Sequence, residues 1–172
     1  MINIAVLGFG VVGSGVVEVL KTNADRIAMG AGDAARVKYI VDVRDFPGSE
    51  YGGLFVKDFS LVERDPEVSI VVETIGGAGV ALDFTRRCLL AGKSVVTSNK
   101  ELVAAHGQRL LALAREMNVN YLFEASVGGG IPILRPISQC LAANEISEVF
   151  GILNGTTNYV LTRMIKEGES PG

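Results

Sequence analysis

The chain has 172 residues, 48% of them hydrophobic, and a formal net charge of -3 at pH 7. Such length and apolar content suit one large folded domain, or one domain and the beginning of another, and argue against disorder. The charge offers no general attraction for nucleic acid, no apolar run of about 18 residues could cross a bilayer, and no basic secretory segment opens the chain. A soluble cytoplasmic protein with neither a nucleic-acid nor a membrane partner is therefore expected.

In chain order, Ile2 to Leu7 reads as a strand, and Gly8-Phe9-Gly10-Val11-Val12-Gly13 follows where a strand would turn into a helix. Gly8 permits the tight turn, Gly10 leaves no side chain between the backbone and a phosphate, and Gly13 lets the helix pack on the strand. Amides of this loop and of the first helical turn, those of Phe9, Val11 and Val12 among them, would face a dinucleotide pyrophosphate. Helical spacing predicts a helix from Val11 to about Ala28, and Val37 to Val43 is the next β-rich segment. Phe55 to Phe59 predicts a short strand, and Leu61 to Arg64 a helical turn. Ser69-Ile70-Val71-Val72-Glu73 is too apolar for a half-exposed strand and suits the centre of a parallel sheet.

Val80 to Leu90 predicts a helix stopped by Gly92, and Ser94 to Thr97 the strand after it. Lys100 to Ala105 and Gln108 to Met117 supply further helix, and Asn120 to Glu124 another strand. After Ser126 the alternation breaks at Val127-Gly128-Gly129-Gly130-Ile131-Pro132. A helix from about Ile133 to Leu141, a strand from Glu148 to Leu153 and a helix from Tyr159 to Lys166 are expected beyond it. The fold class is thus α/β, a doubly wound, Rossmann-type parallel sheet over residues 1–130, and residues 131–172 begin a second, α+β domain. In such sheets ligands bind beyond the carboxyl ends of the strands, so the loops around Gly8, Arg44, Thr74 and Ser98 should meet at one crevice.

Few other residues suggest chemistry. Cys88 and Cys140 stand far apart with no CxxC or zinc spacing, and neither has a base nearby in sequence, so both are expected to be reduced, small core residues. His106, the sole histidine, sits near an expected helix end, where an exposed or capping role is commoner than catalysis.

Four segments together resemble homoserine dehydrogenases along the whole chain: the glycine fingerprint at 8–13, Val96-Thr97-Ser98-Asn99-Lys100, Phe123-Glu124-Ala125-Ser126 running on into the glycine-rich 127–132, and Gly151-Ile152-Leu153-Asn154-Gly155-Thr156-Thr157-Asn158-Tyr159. The first is shared with many nucleotide-binding proteins, whereas the last two are specific to this family. The resemblance implies interconversion of L-homoserine and L-aspartate 4-semialdehyde with NADPH or NADH, on the way to threonine, methionine and isoleucine, in a homodimer. Family members continue through a catalytic and dimerising region, so this chain is expected to be the nucleotide-binding part and inactive alone.

Residue roles follow from the same resemblance. Arg44, with Lys57 nearby, is expected to bind a 2′-phosphate, which favours NADP(H) with NAD(H) also accepted; a plain ion pair of Arg44 with Asp42 or Asp45 is the alternative. Thr74 and Ser98 complete the cofactor contacts. Lys100 matches the family's active-site lysine, and an ammonium there would stabilise an alkoxide or donate its proton; a lysine at a helix start is otherwise unfavourable. Glu124, Val127, Gly129 and Ile131 match a site for a structural sodium ion, although Glu124 capping local amides is an equal reading. Gly155 and Thr156 match substrate positions, with Thr156 as N-cap of the following helix the simpler role. A stand-alone dinucleotide sensor remains the competing class of function, and an aspartate-semialdehyde dehydrogenase is disfavoured because neither cysteine suits a nucleophile.

Overall fold

The computed structural model describes residues 1–152, 154–168 and 170. The apolar run Ile2–Leu7 forms β1, buried on both faces from Asn3 onward, and lies at the middle of one all-parallel sheet. The other strands are β2 (Ala35–Val41), β3 (Phe55–Val56), β4 (Val68–Glu73), β5 (Ser94–Thr97) and β6 (Tyr121–Leu122), in spatial order 3-2-1-4-5-6. This is the doubly wound order, in which the sequence of strands switches sides between β1 and β4.

Helices cover both faces because alternate residues of β1 serve different cores. Ala5 and Leu7 join Val62, Val71, Cys88, Leu89, Val95, Leu102 and Leu110, the core beneath α3 (Ser60–Arg64), α4 (Gly79–Leu90) and α5 (Lys100–Glu116). Val6 joins Val17 and Ile40 on the opposite face, beneath α1 (Val11–Thr22). Register then aligns the carboxyl ends: Leu7 pairs with Val41 and with Glu73, and Glu73 pairs with Thr97. Asp42, Gly8, Thr74 and Ser98 therefore sit side by side along one rim, as expected for the four loops.

Several elements differ from expectation. The first helix breaks at Asn23, whose amide still bonds Val19 O while its own carbonyl accepts from Ile27, and α2 (Ala24–Ala31) follows until Gly32, at φ 77°, ends it. The second strand stops at Val41, because the Asp42 carboxylate takes the Phe9 and Arg44 amides and turns the chain. Asp42 and Arg44 accordingly lie in the loop rather than on a strand. The two helical segments around His106 are one helix, α5, with Gly107 buried in it and Val103 close enough that an added Cβ would stand 3.3 Å from its Cγ1.

Beyond the sheet, regular structure thins. The last strand keeps only Tyr121–Leu122, after which Glu124–Ser126 forms a 3-10 turn. Pro136 cannot donate an amide, and the helix expected from Ile133 to Leu141 becomes a π-helical turn at Pro136–Cys140, closed by the bond from Leu141 N to Pro136 O of 3.1 Å. Residues 148–152 form no strand, having no neighbouring ladder; Leu153, the end of that expected strand, lies outside the described residues. A final helix, α6 (Gly155–Glu167), starts earlier than expected because Asn154 caps it, its Oδ1 accepting from Thr157 N at 2.8 Å. Cys88 is buried as expected, whereas Cys140 is exposed, because the segment around it packs little against the sheet. Among the described residues no helix is long and apolar enough to cross a membrane.

Candidate dinucleotide and active site

The glycine turn is built by close backbone packing. Gly8 has φ 90°, and a Cβ there would meet Thr74 O at 2.9 Å. A Cβ on Gly13 would stand 1.9 Å from Gly8 O, so only glycine lets α1 descend onto the turn. Thr74 locks this approach: its hydroxyl donates to Leu7 O and Gly8 O at 3.0 and 2.9 Å. Gly10 differs from both, for nothing lies within 4 Å of its added Cβ. It is also the N-cap of α1 and supplies no side-chain acceptor, so the first helical amides have no side-chain cap. Open space above uncapped amides fits an anionic pyrophosphate.

Beside that turn, a cavity of about 560 Å³ is lined by Gly8, Gly10, Asp42, Arg44, Lys57 and Thr74, with Ile75, Val80 and Phe84 as its apolar wall. Asp42 is its electrostatic centre. Its Oδ2 accepts from Phe9 N at 2.7 Å and from Arg44 Nη2 at 2.9 Å, and its Oδ1 from Arg44 N and Nε at 2.9 and 3.0 Å. The Arg44 guanidinium chiefly, helped by the two amides, holds the Asp42 carboxyl well below the usual carboxylate range despite its burial. The pair is lopsided: the Asp42 side chain is 5% exposed and that of Arg44 58%. A ribose hydroxyl seeking Asp42 would have to displace Arg44, whereas a phosphate can reach the guanidinium directly.

Lys57 lies on the same wall but supports the loop instead of reaching into the cavity. Its ammonium donates to Val43 O at 2.7 Å and Arg44 O at 2.5 Å and pairs with Asp45 at 2.8 Å. Phe9 contributes its ring as well as its amide, meeting Phe46 and Phe55 edge-on at 5.0 Å each, while Arg44 stacks over Phe46 at 5.1 Å. This aromatic cluster, absent from the sequence reading, ties the fingerprint loop to residues 46–55.

A second cavity, of about 640 Å³, lies beyond β5 and α5 and is lined by Lys100, Ser126, Val127, Gly128, Gly129, Ile131, Asn154 and Gly155 among others. Lys100 is exposed as the first residue of α5. Gly155 shares its cavity, while Thr156, in the first turn of α6, is not among the lining residues, and Asn154 performs the capping expected of Thr156. Ser98 is half-buried on the rim and lines neither cavity.

Glu124 caps amides: Oε1 accepts from Ile133 N and Leu134 N at 2.5 and 2.9 Å, and Oε2 from Arg135 N at 2.9 Å. These bonds, that to Ile133 first, hold its carboxyl below the usual range. One lone-pair direction on Oε2 stays open, and the carbonyls of Val127, Gly129 and Ile131 accept no hydrogen bond among the described residues. Carboxylate and carbonyl oxygens are the hard donors that a monovalent or other hard cation takes. No group of three or more His, Cys, Asp or Glu able to hold a metal occurs among the described residues.

Comparison with known proteins points to one family. Residues 8–124 match the family model described as homoserine dehydrogenase, NAD binding domain, and residues 132–171 match that described as homoserine dehydrogenase. A homoserine dehydrogenase of Neisseria gonorrhoeae is 40% identical over 172 residues, covering 98% of this chain and 39% of the relative. A crystal structure of a homoserine dehydrogenase from Thiobacillus denitrificans superposes with TM-score 0.88 at 41% identity, covering 98% of this chain and 39% of that one. A hyperthermophilic archaeal homoserine dehydrogenase in complex with NADPH has TM-score 0.81 at 25% identity, covering 98% of this chain and 57% of that one. The chain thus spans about 39% of the length of the curated relatives it matches.

Proposed function

The chain belongs to the homoserine dehydrogenase family and carries its nicotinamide-dinucleotide-binding domain, and on that premise we propose that it is the cofactor-binding part of an enzyme interconverting L-homoserine and L-aspartate 4-semialdehyde. The observation that carries this reading is that Lys100, the first residue of α5, lines one cavity together with Asn154 and Gly155 at the start of α6. A regulatory sensor has no use for a cationic side chain there.

When bound, the nicotinamide supplies or accepts the hydride. The protein must then serve the oxygen of the same carbon. In the reducing direction Lys100 stabilises the developing alkoxide through its ammonium and gives up a proton to it; in the oxidising direction it takes that proton back. Gly155 and Thr156, at the opening turn of α6, offer amides and a hydroxyl for the amino-acid end of the substrate. The amides of Phe9 to Gly13 belong to the pyrophosphate, although that of Phe9 is held by Asp42 in the present arrangement.

NADP(H) is the preferred cofactor, with NAD(H) accepted, because Arg44 exposes its guanidinium while closing off the carboxylate that would bind a bare ribose. Lys57 helps by fixing the backbone of Val43 and Arg44. Residues 1–130 form the dinucleotide unit and 131–172 the start of the substrate and dimerisation region, a division supported by the gap between the two matched segments. Glu124, Val127, Gly129 and Ile131 hold a structural sodium ion. The assembled enzyme is a cytoplasmic homodimer serving threonine, methionine and isoleucine synthesis.

The test is to graft residues 1–172 in place of the matching segment of one of those relatives and assay homoserine oxidation. The graft should turn over, and Lys100→Ala should lower kcat by about 10²- to 10⁴-fold without altering dinucleotide affinity. A folded graft that binds dinucleotide but never oxidises homoserine would favour the sensor reading.

A further inference from the structure

Glu73 closes β4, a strand whose other residues include Val68, Ile70, Val71 and Val72, and it is completely buried. A carboxylate in that position is costly unless its oxygens are engaged. Oε1 accepts from Ile75 N at 2.8 Å, two residues on in the same loop. Oε2 accepts from the Thr97 hydroxyl at 2.6 Å, across to the end of β5. Thr97 Oγ1 in turn accepts from Asn99 N at 2.9 Å. Asn99 completes the circuit, its Nδ2 donating to Gly77 O at 2.6 Å and its Oδ1 capping α5 at Leu102 N at 3.0 Å.

These bonds join two loops that are distant in sequence. One is 74–77, after β4; the other is 98–99, which delivers Lys100 to its cavity. By the geometry of doubly wound sheets, the far half of a dinucleotide, beyond its pyrophosphate, lies over these ends. The adenosine half lies instead over Gly8, Asp42 and Arg44. We propose that Glu73 is a positioning residue: acting through the Thr97 hydroxyl, it sets the paired β4 and β5 loops that receive the nicotinamide half of the cofactor and present Lys100. This rests on the dinucleotide reading above.

The chemistry demands a carboxylate. A glutamine at 73 has one acceptor oxygen; if that serves Ile75 N, its NH2 group faces Thr97 Oγ1, which already accepts from Asn99 N. The Thr97 proton is then left without an acceptor in a buried site. The buried hydroxyls of Tyr121 and Thr85 make no hydrogen bond among the described residues, so neither holds the Thr97 proton in this arrangement. The Tyr121 hydroxyl also feels the Glu73 charge: burial chiefly, then that charge, pushes its pKa up.

The experiment titrates the 172-residue chain with two probes, NADPH followed by nicotinamide fluorescence and adenosine 2′,5′-bisphosphate followed by calorimetry. The variants are Glu73→Gln, Thr97→Val and Thr97→Ser. Glu73→Gln and Thr97→Val should weaken NADPH about tenfold and lose most of the fluorescence enhancement, with the bisphosphate held within about twofold. Thr97→Ser keeps the hydroxyl and should behave as the wild type. If Glu73→Gln does not fold, Thr97→Val decides alone, because it leaves the carboxylate bonded to Ile75 and removes only the Thr97 hydroxyl, and with it the links to Glu73 and to Asn99 N. Unchanged NADPH binding and fluorescence in the variants would overturn the proposal, as would equal weakening of both probes, which means general loosening. A wild-type chain that binds neither probe would overturn the dinucleotide reading itself, and this proposal with it.

Discussion

Three glycines within six residues, at positions 10, 13 and 15, should respond to alanine in three different ways. A Cβ at Gly13 would stand 1.9 Å from Gly8 O and 2.8 Å from Thr74 Oγ1. The first contact is backbone to backbone, so α1 and the turn must separate by more than an ångström, against the bonds that Thr74 makes to Leu7 and Gly8. Overpacking of this kind costs about 1–3 kcal/mol or more, and the better helix propensity of alanine returns at most about 1. A net loss near 2 kcal/mol lowers Tm by about 4–8 °C for a chain of this size. Gly15 has nothing within 4 Å of its added Cβ, and alanine there should stabilise α1 by about 0.5–1 kcal/mol. Gly10 is equally open at φ -83°, an ordinary value for any residue, so Gly10→Ala should leave Tm nearly unchanged yet weaken dinucleotide binding, because its methyl occupies the phosphate's approach. Thermal melts with and without NADPH separate the three. A Gly13→Ala protein as stable as the wild type would contradict the close packing of α1 on the turn, and a Gly10→Ala protein with undiminished affinity would contradict a phosphate approach over Gly10.

Other consequences are testable on the same chain. Asp65 is held down to about 2, chiefly by the Lys38 ammonium at 2.6 Å. A carboxyl depressed on folding stabilises the protein above its unfolded pKa of about 3.9 and loses that contribution as pH falls toward 2. Asp65→Asn should therefore be less stable than the wild type at neutral pH, and the gap in urea midpoints should close between about pH 4 and pH 2; a pH-independent gap would contradict the linkage. Burial pushes the Cys88 thiol up to about 12, whereas Cys140 is exposed. One thiol should react rapidly with a disulfide reagent at neutral pH and the second only on unfolding; two fast thiols would contradict the burial. Glu124→Ala strips the amides of Ile133, Leu134 and Arg135 of their acceptor, so hydrogen exchange at those three amides should accelerate while the sheet stays protected.

Much of the fold was legible because its signals are local. Ile2–Leu7 and Ser94–Thr97 are short apolar runs bounded by glycine or by polar residues, and both fall where expected. The glycine fingerprint carries its own geometry, and Gly8 and Gly13 each prove to need the missing Cβ. Less legible were features that depend on distant partners. Nothing in the composition around Asn23 announces a helix break. The early end of β2 comes from Asp42 turning to the Phe9 amide, which lies 33 residues away in sequence. Residues 148–152 have strand-like composition, but a strand needs a neighbour, and no described segment pairs with them.

The site divides in the same way. Arg44 and Lys100 were visible as cations after strand ends and Lys57 through the family resemblance, yet the sequence does not say that Lys57 spends its ammonium on the Arg44 loop. Glu73 was overlooked although a signal existed: a carboxylate at the end of an otherwise apolar, sheet-centre strand is expensive without a purpose.

On the proposed reading, this chain binds a nicotinamide dinucleotide with Arg44 against a 2′-phosphate. Calorimetric titration of the wild type and Arg44→Ala with NADPH and NADH tests it most directly. The wild type should bind NADPH more tightly than NADH, and Arg44→Ala should lose about ten- to a hundredfold in NADPH affinity with NADH little affected. Equal loss for both cofactors, or no binding of either by the folded wild-type chain, would contradict it.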